Sequence, residues 1–155
     1  MNDVANDPYA NGLITERPSS VREAVEMRTV GVLASKRSGR GLRLIHPRTR
    51  CIRRHDIHEL IVTSEQAAPG GTVDSAHYVG FFEFLEGAVI GEGDLVVANG
   101  RTIGTLMGFD ETHAPNHINI LLHAESPLTG AELGLSPGDR VSFVPWNLRS
   151  PTCPE

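Results

Sequence analysis

The chain has 155 residues, a formal net charge of −5 and 5% aromatic residues. That length suits one domain able to bury a core without staples, and the negative balance argues against a general nucleic-acid binder. Sixteen glycines and ten prolines favour short strands and tight turns over long helices, and no apolar run is long enough to span a bilayer.

Residues 1–18 read as a flexible N-terminal arm of Asn, Asp, Pro and Gly, without the apolar stretch of a signal peptide. A domain is expected over 19–146, and residues 147–155 read as a tail. "SSVREAVEM" carries a capping-box pattern, Ser20-x-x-Glu23, which predicts one or two helical turns. "TVGVLASK" (29–36) is a strand by β-branched content, "SGRG" a turn, and "LRLIHP" an alternating strand ended by Pro47. "CIRRHDIHELIVT" is ambiguous. A helical turn would put His55, His58 and Glu59 on one face, whereas "ELIVT" finishes as a strand.

"HYVGFFEFLEG" is expected to be extended, with Glu83 on its outer face. In "DLVVANGRTIGTLMGF", Asn99-Gly100 signals a type I′ hairpin between two strands. "HINILLHA" and "DRVSFVP" complete the strands, and "PLTGAELGL" is the one late helix. Gly-Asp turns precede strands at Gly93-Asp94 and again 45 residues on at Gly138-Asp139. This echo, with about seven short strands, predicts a mostly β fold: a single small closed barrel with one or two short helices.

Charge is concentrated. Between Lys36 and Arg54 lie eight basic residues and no acid, seven of them arginine. Arginine suits bidentate capture of carboxylate or phosphate, so Arg40, Arg43 and Arg54 are candidates for an anionic-substrate site. A solvated face paired with acids elsewhere is the competing explanation. Cys51 and Cys153 show no metal spacing, and a reduced cytoplasmic protein is expected.

Residues 108–125, "GFDETHAPNHINILLHAE", hold three of the seven histidines. Fully extended, His113 and His117 would stand roughly 13 Å apart. A β-turn centred on Pro115-Asn116 would bring them together. Downstream, Ile118, Ile120 and Leu122 share one face, opposite His117, Asn119, Leu121 and His123. The histidine-rich face reads as a wall facing a ligand.

Three chemistries compete for this stretch. Acid–base catalysis would use His113 and His117 with Asp110 or Glu111 orienting a ring, and Asn116, Asn119, His123 and His58 contacting substrate. A divalent metal would be held by His113, His117, His58 and Glu59, although no recognised metal spacing occurs. Alternatively, the histidines are turn and surface residues bonded to backbone. The first reading implies a small enzyme of lyase, isomerase or cyclase type that needs no cofactor. Its substrate would be a small anionic or polar molecule, with no membrane or nucleic-acid partner and a homo-oligomer possible in principle. Arginine-rich, lysine-poor composition is associated with high-GC bacteria and specialised metabolism. The same pocket would also suit a non-catalytic binding module.

"LTGAELGLSPGDRVSF" resembles the closing element of cradle-loop barrels, as in swapped-hairpin transcription factors and archaeal CTP-dependent riboflavin kinases. The kinase resemblance extends upstream through Gly104–Met107, Thr112-His113, the strand His117–Leu122, and Leu128, Leu133, Leu135, Gly138-Asp139 and Val141, with a fainter match at "VGVLASKRSGRGLRL". It implies a cradle-loop barrel and, as an alternative function, a diverged nucleotide-dependent phosphotransferase. That family's Gly-Thr-Leu-Asn stretch, which holds phosphate and metal, corresponds here to "RRHDIHELIV", with neither Thr nor Asn.

Overall fold

The computed structural model describes residues 21–145 and 148. The expected arm 1–18, Ser20 of the capping box, Cys153, and the tail apart from Leu148 lie outside the described residues. Twelve strands are present: β1 (Val25–Val32), β2 (Lys36–Arg37), β3 (Leu42–Arg43), β4 (Thr49–Ile52), β5 (Ile57–Thr63), β6 (Thr72–Val73), β7 (Ala76–Phe84), β8 (Ala88–Gly91), β9 (Leu95–Ala98), β10 (Arg101–Asp110), β11 (Asn119–His123) and β12 (Arg140–Val144). The largest sheet runs β1-β12-β9-β10-β11-β5-β7-β2, and β1 also pairs with β7, so hydrogen bonds run in a ring through seven strands. Of the ring pairings, β11 with β5 is parallel.

Alternation places the core. Met27, Leu60, Val62, Phe82, Phe84, Phe109, Ile120, Leu122 and Phe143 belong to one buried cluster. Period-two side chains on each strand send these residues to the same face of the sheet. A second, smaller cluster joins Leu42, Leu44, Val73 and Ala76 to Ile61 and Leu121. The short β3–β6 pair thereby covers the opposite face of β5 and β11.

Two helical expectations give way to strand and turn. Residues 25–30 alternate buried and more exposed positions, with Val25 and Met27 paired to Phe143 and Val141 of β12. Burial of those apolar side chains against a neighbouring strand outweighs the weak local helix signal. The late segment forms a single turn, closed by Leu133 N donating to Thr129 O at 2.9 Å. Thr129 and Glu132 cap it reciprocally: Glu132 N donates to Thr129 Oγ1, and Thr129 N to Glu132 Oε1. Among the described residues no α-helix is formed. The "LRLIHP" strand also shortens to Leu42–Arg43.

The Asn-Gly and Gly-Asp turn signals act as read. Asn99 and Gly100 have φ of 50° and 75°, the pair of positive values that a type I′ hairpin needs. The Gly-Asp echo is a repeated device. Gly93 N donates to Leu106 O while Leu106 N donates to Asp94 O, and Gly138 N donates to Thr29 O while Thr29 N donates to Asp139 O. Each Asp side chain also accepts the N–H three residues back, from Gly91 and from Ser136. Asp94 further holds Arg22 through two hydrogen bonds of 2.6 and 2.8 Å, with both side chains nearly buried.

One irregularity shapes the outer surface of β7. Leu60 pairs with Gly80 but Ile61 with Tyr78, so Val79 is the extra residue of a β-bulge in β7. The backbone here is crowded from both sides. A Cβ on Gly80 would lie 2.1 Å from Gly31 O, and one on Gly130 would lie 1.9 Å from Val79 O. The bulge flips the strand's alternation: Val79 and Phe82 enter the main core, while Tyr78 and Phe81 face the same outer side.

Candidate functional site

On that outer side, a cleft of about 400 Å³ is lined by Leu33, Ser35, Arg37, Arg40, Glu59, Tyr78, Phe81, His113 and His117. Glu59 comes from β5 and alternates with the inward-facing Leu60, so its carboxylate points to the outer face yet is only 6% exposed. The residue opposite it in the parallel pair is Asn119. His117 arrives two residues before, with Nε2 3.4 Å from Glu59 Oε2 but without hydrogen-bond geometry.

The two histidines meet as expected, through a different turn. Asn116 N and His117 N both donate to His113 O, and the Ala114-Pro115 peptide is cis. The central pair is therefore Ala114-Pro115, one residue earlier than the sequence suggested. The rings lie 5.1 Å apart between centroids. His117 is further fixed by Phe81, edge-on at 5.2 Å and 87°, and by Asn116 Nδ2, 3.0 Å from its Nδ1.

Electrostatics set the two deepest groups apart from their solution behaviour. Burial raises the Glu59 pKa, and the nearby positive character of His113 and Arg40 pulls it partly back. Burial lowers the His117 pKa, with the Asn119 carboxamide opposing. A carboxylate made more basic thus faces an imidazole kept neutral. The two shifts bring their proton affinities closer together, which suits passing a proton between them.

Arg40 is placed by its loop. Arg40 N donates to Asp74 O, and Gly41 N to Asp74 Oδ1 at 3.0 Å, while φ of 67° and 60° at Gly39 and Gly41 allows the tight path. Leu33 N donates to Val79 O and Tyr78 N to Ser35 O, which holds the β1–β2 connection against the bulge.

The other candidates lie elsewhere. Asp110 is 2% exposed and accepts from Arg43 N, Thr112 N, Thr112 Oγ1 and Asn119 Nδ2. Its oxygens are engaged in fixing the strand end, and it does not line the cleft. Glu111 pairs with Arg50 at 2.9 Å. Arg43 and Arg54 are exposed and outside the cleft, whereas Arg37 and Arg40 line it. Lys36 and Arg48 pair with Glu132 and Glu92, so part of the basic run is an ordinary solvated, acid-paired surface.

His58 does not join Glu59. They are successive residues of a strand, not of a helical turn, and so point to opposite faces. His58 Nδ1 accepts from Ile118 N at 3.1 Å, its ring meets Phe84 edge-on, and burial lowers its pKa to about 4. Asn119 is fully buried, His123 is half-buried at the far end of β11, and Asn116 is exposed on the turn. The face carrying His117, Asn119 and His123 is accordingly not one continuous ligand wall. Leu121 in its middle is covered by the second apolar cluster. Among the described residues, no group of three or more His, Cys, Asp or Glu is arranged to hold a metal ion. Glu83, on the outer face, binds Arg28 and His55.

Sequence reasoning missed Arg37, Tyr78 and Phe81, and valued Glu59 only as a possible metal ligand. Glu59 had a signal, being a lone carboxylate inside the apolar run "ELIVT". A larger cleft of about 680 Å³ borders Arg22–Glu26 and Leu85–Val89, at the edge of the described residues. Its one nearly buried charged lining residue among those described, Arg22, is engaged by the Asp94 carboxylate.

The family model described as "Family of unknown function (DUF6917)" matches residues 19–144, and the chain belongs to that family. Comparison with curated proteins and with solved structures gives no match. Among the described residues no helix is long and apolar enough to cross a membrane.

Proposed function

We propose that the Glu59–His117 cleft is the active site of a small enzyme that moves a proton on a small anionic molecule, in a lyase or isomerase reaction. The observation that carries this reading is a carboxylate only 6% exposed, 3.4 Å from an imidazole nitrogen that makes no hydrogen bond, beside the cleft-lining Arg37 and Arg40. Glu59 takes a proton from carbon next to a carbonyl, and the electron pair moves into the carbonyl as an enolate. His113 and Arg40 hold the developing oxyanion, and His117 exchanges the captured proton with solvent or returns it to another atom. The seven-strand ring, with its repeated Gly-Asp turns, supports reading the scaffold as a closed barrel of the cradle-loop kind.

The test follows deuterium incorporation from D2O into 2-oxo and 3-oxo acids by NMR, comparing the wild type with Glu59→Gln. Incorporation above the buffer rate, lost in the variant, is expected. Saturable binding of these anions without exchange would instead make the cleft a binding module. Neither binding nor exchange across the panel would overturn the proposal.

A further inference from the structure

Building on the proton-transfer reading, we infer that the substrate carries an aromatic group beside its anionic end. Three apolar or aromatic side chains, Leu33, Tyr78 and Phe81, line the cleft and remain half-exposed. The Phe81 ring is held edge-on against His117, so its position is set before any ligand arrives. Half-exposed rings in a cleft gain from contact with another aromatic surface, in stacked or edge geometry. Arg40 and Glu59 line the same cleft. A molecule whose anionic end meets Arg40 and whose reacting atom faces Glu59 fills the same cleft that Leu33, Tyr78 and Phe81 line, so the rest of it runs over this apolar wall. The volume agrees. About 400 Å³ falls in the range of pockets for drug-sized ligands, roughly 300–1,000 Å³, far more than a three-carbon acid fills.

The test measures affinity by ligand-observed NMR for phenylpyruvate, phenylacetate and pyruvate, in the wild type and in Phe81→Leu. Leucine keeps an apolar side chain against His117, so this variant preserves packing while removing the ring. Phenylpyruvate and phenylacetate should each bind at least about tenfold more tightly than pyruvate, as burial of a ring predicts. Phe81→Leu should weaken both phenyl ligands by roughly three- to tenfold and leave pyruvate within about twofold. Equal affinity for phenyl and methyl ligands, or a preference unchanged in Phe81→Leu, would overturn the inference. The two proposals fail separately. Deuterium incorporation into pyruvate without any phenyl preference leaves the proton-transfer reading standing. Phenyl preference without exchange on any ligand removes that reading and keeps the aromatic one.

Discussion

Glu59 and His117 come from segments 58 residues apart, and their side chains stop 3.4 Å from each other on the outer face of a parallel strand pair. The pairing fixes the approach, because Glu59 N donates to Ile118 O, the carbonyl of the residue after His117. A backbone hydrogen bond thus sets the distance between the two groups proposed to handle the proton.

Glu59→Gln should separate activity from stability. Burial raises the folded-state pKa above the ordinary glutamate value, so the native protein holds its proton more tightly than the unfolded chain. Stability contributed by Glu59 is therefore lost as pH rises through that window, and the ionised side chain is a cost at neutral pH. The variant should show a higher Tm than the wild type at pH 7.5, with turnover reduced by about 10²–10⁴-fold. A lower Tm in calorimetry would count against a disfavoured carboxylate.

His117→Ala should also lower turnover by about 10²–10⁴-fold, with little loss of fold, since the residue sits at the edge of a turn. Its pKa is lowered by burial, so the wild-type limb it governs should fall below the usual histidine value of 6.5. That limb should vanish from the pH–rate profile of the variant. His113→Ala, at an exposed position, should cost less.

Arg40→Ala should weaken anion binding by about 1.5–3 kcal/mol, the range for charge-assisted hydrogen bonds. Arg43→Ala and Arg54→Ala should leave affinity unchanged, because both side chains stand outside the cleft. Isothermal titration of the three variants discriminates the cleft from a diffuse basic surface, which would respond to all three alike.

His58 should make the fold acid-sensitive. Its folded pKa of about 4 lies below the reference 6.5, so the native state binds fewer protons in between. Its contribution is present in full above pH 6.5 and is lost as pH falls towards 4. Urea denaturation of His58→Gln, which retains an acceptor for Ile118 N, should show a flatter decline across that window. An unchanged slope would mean that other groups govern acid stability.

Gly80→Ala should be among the most damaging single substitutions. The added methyl group would meet the backbone oxygen of Gly31 at 2.1 Å, at a φ of 154°. Loss of more than about 3 kcal/mol is expected, or failure to fold, because neither strand can yield without breaking the ring.

The features legible in the sequence are those set by neighbours a few residues away. Asn99-Gly100 forms its hairpin because positive φ is cheap at those two positions, and the Gly-Asp turns recur because each Asp caps the residue three before it. The alternation of Ile118, Ile120 and Leu122 marks the core face directly, and a proline turn suffices to join His113 to His117. Tertiary structure decided the rest. Val25 and Met27 became strand because β12 lies beside them, whatever the local capping pattern favours. Which arginines line the cleft depended on where the 36–41 loop is pinned, by Asp74 more than thirty residues away. Tyr78 joined Phe81 in the cleft because a bulge at Val79, where Gly80 and Gly130 allow close backbone approach, breaks the alternation between them. Period-two patterning places a side chain correctly only while the register is unbroken, and a bulge is dictated by contacts distant in sequence.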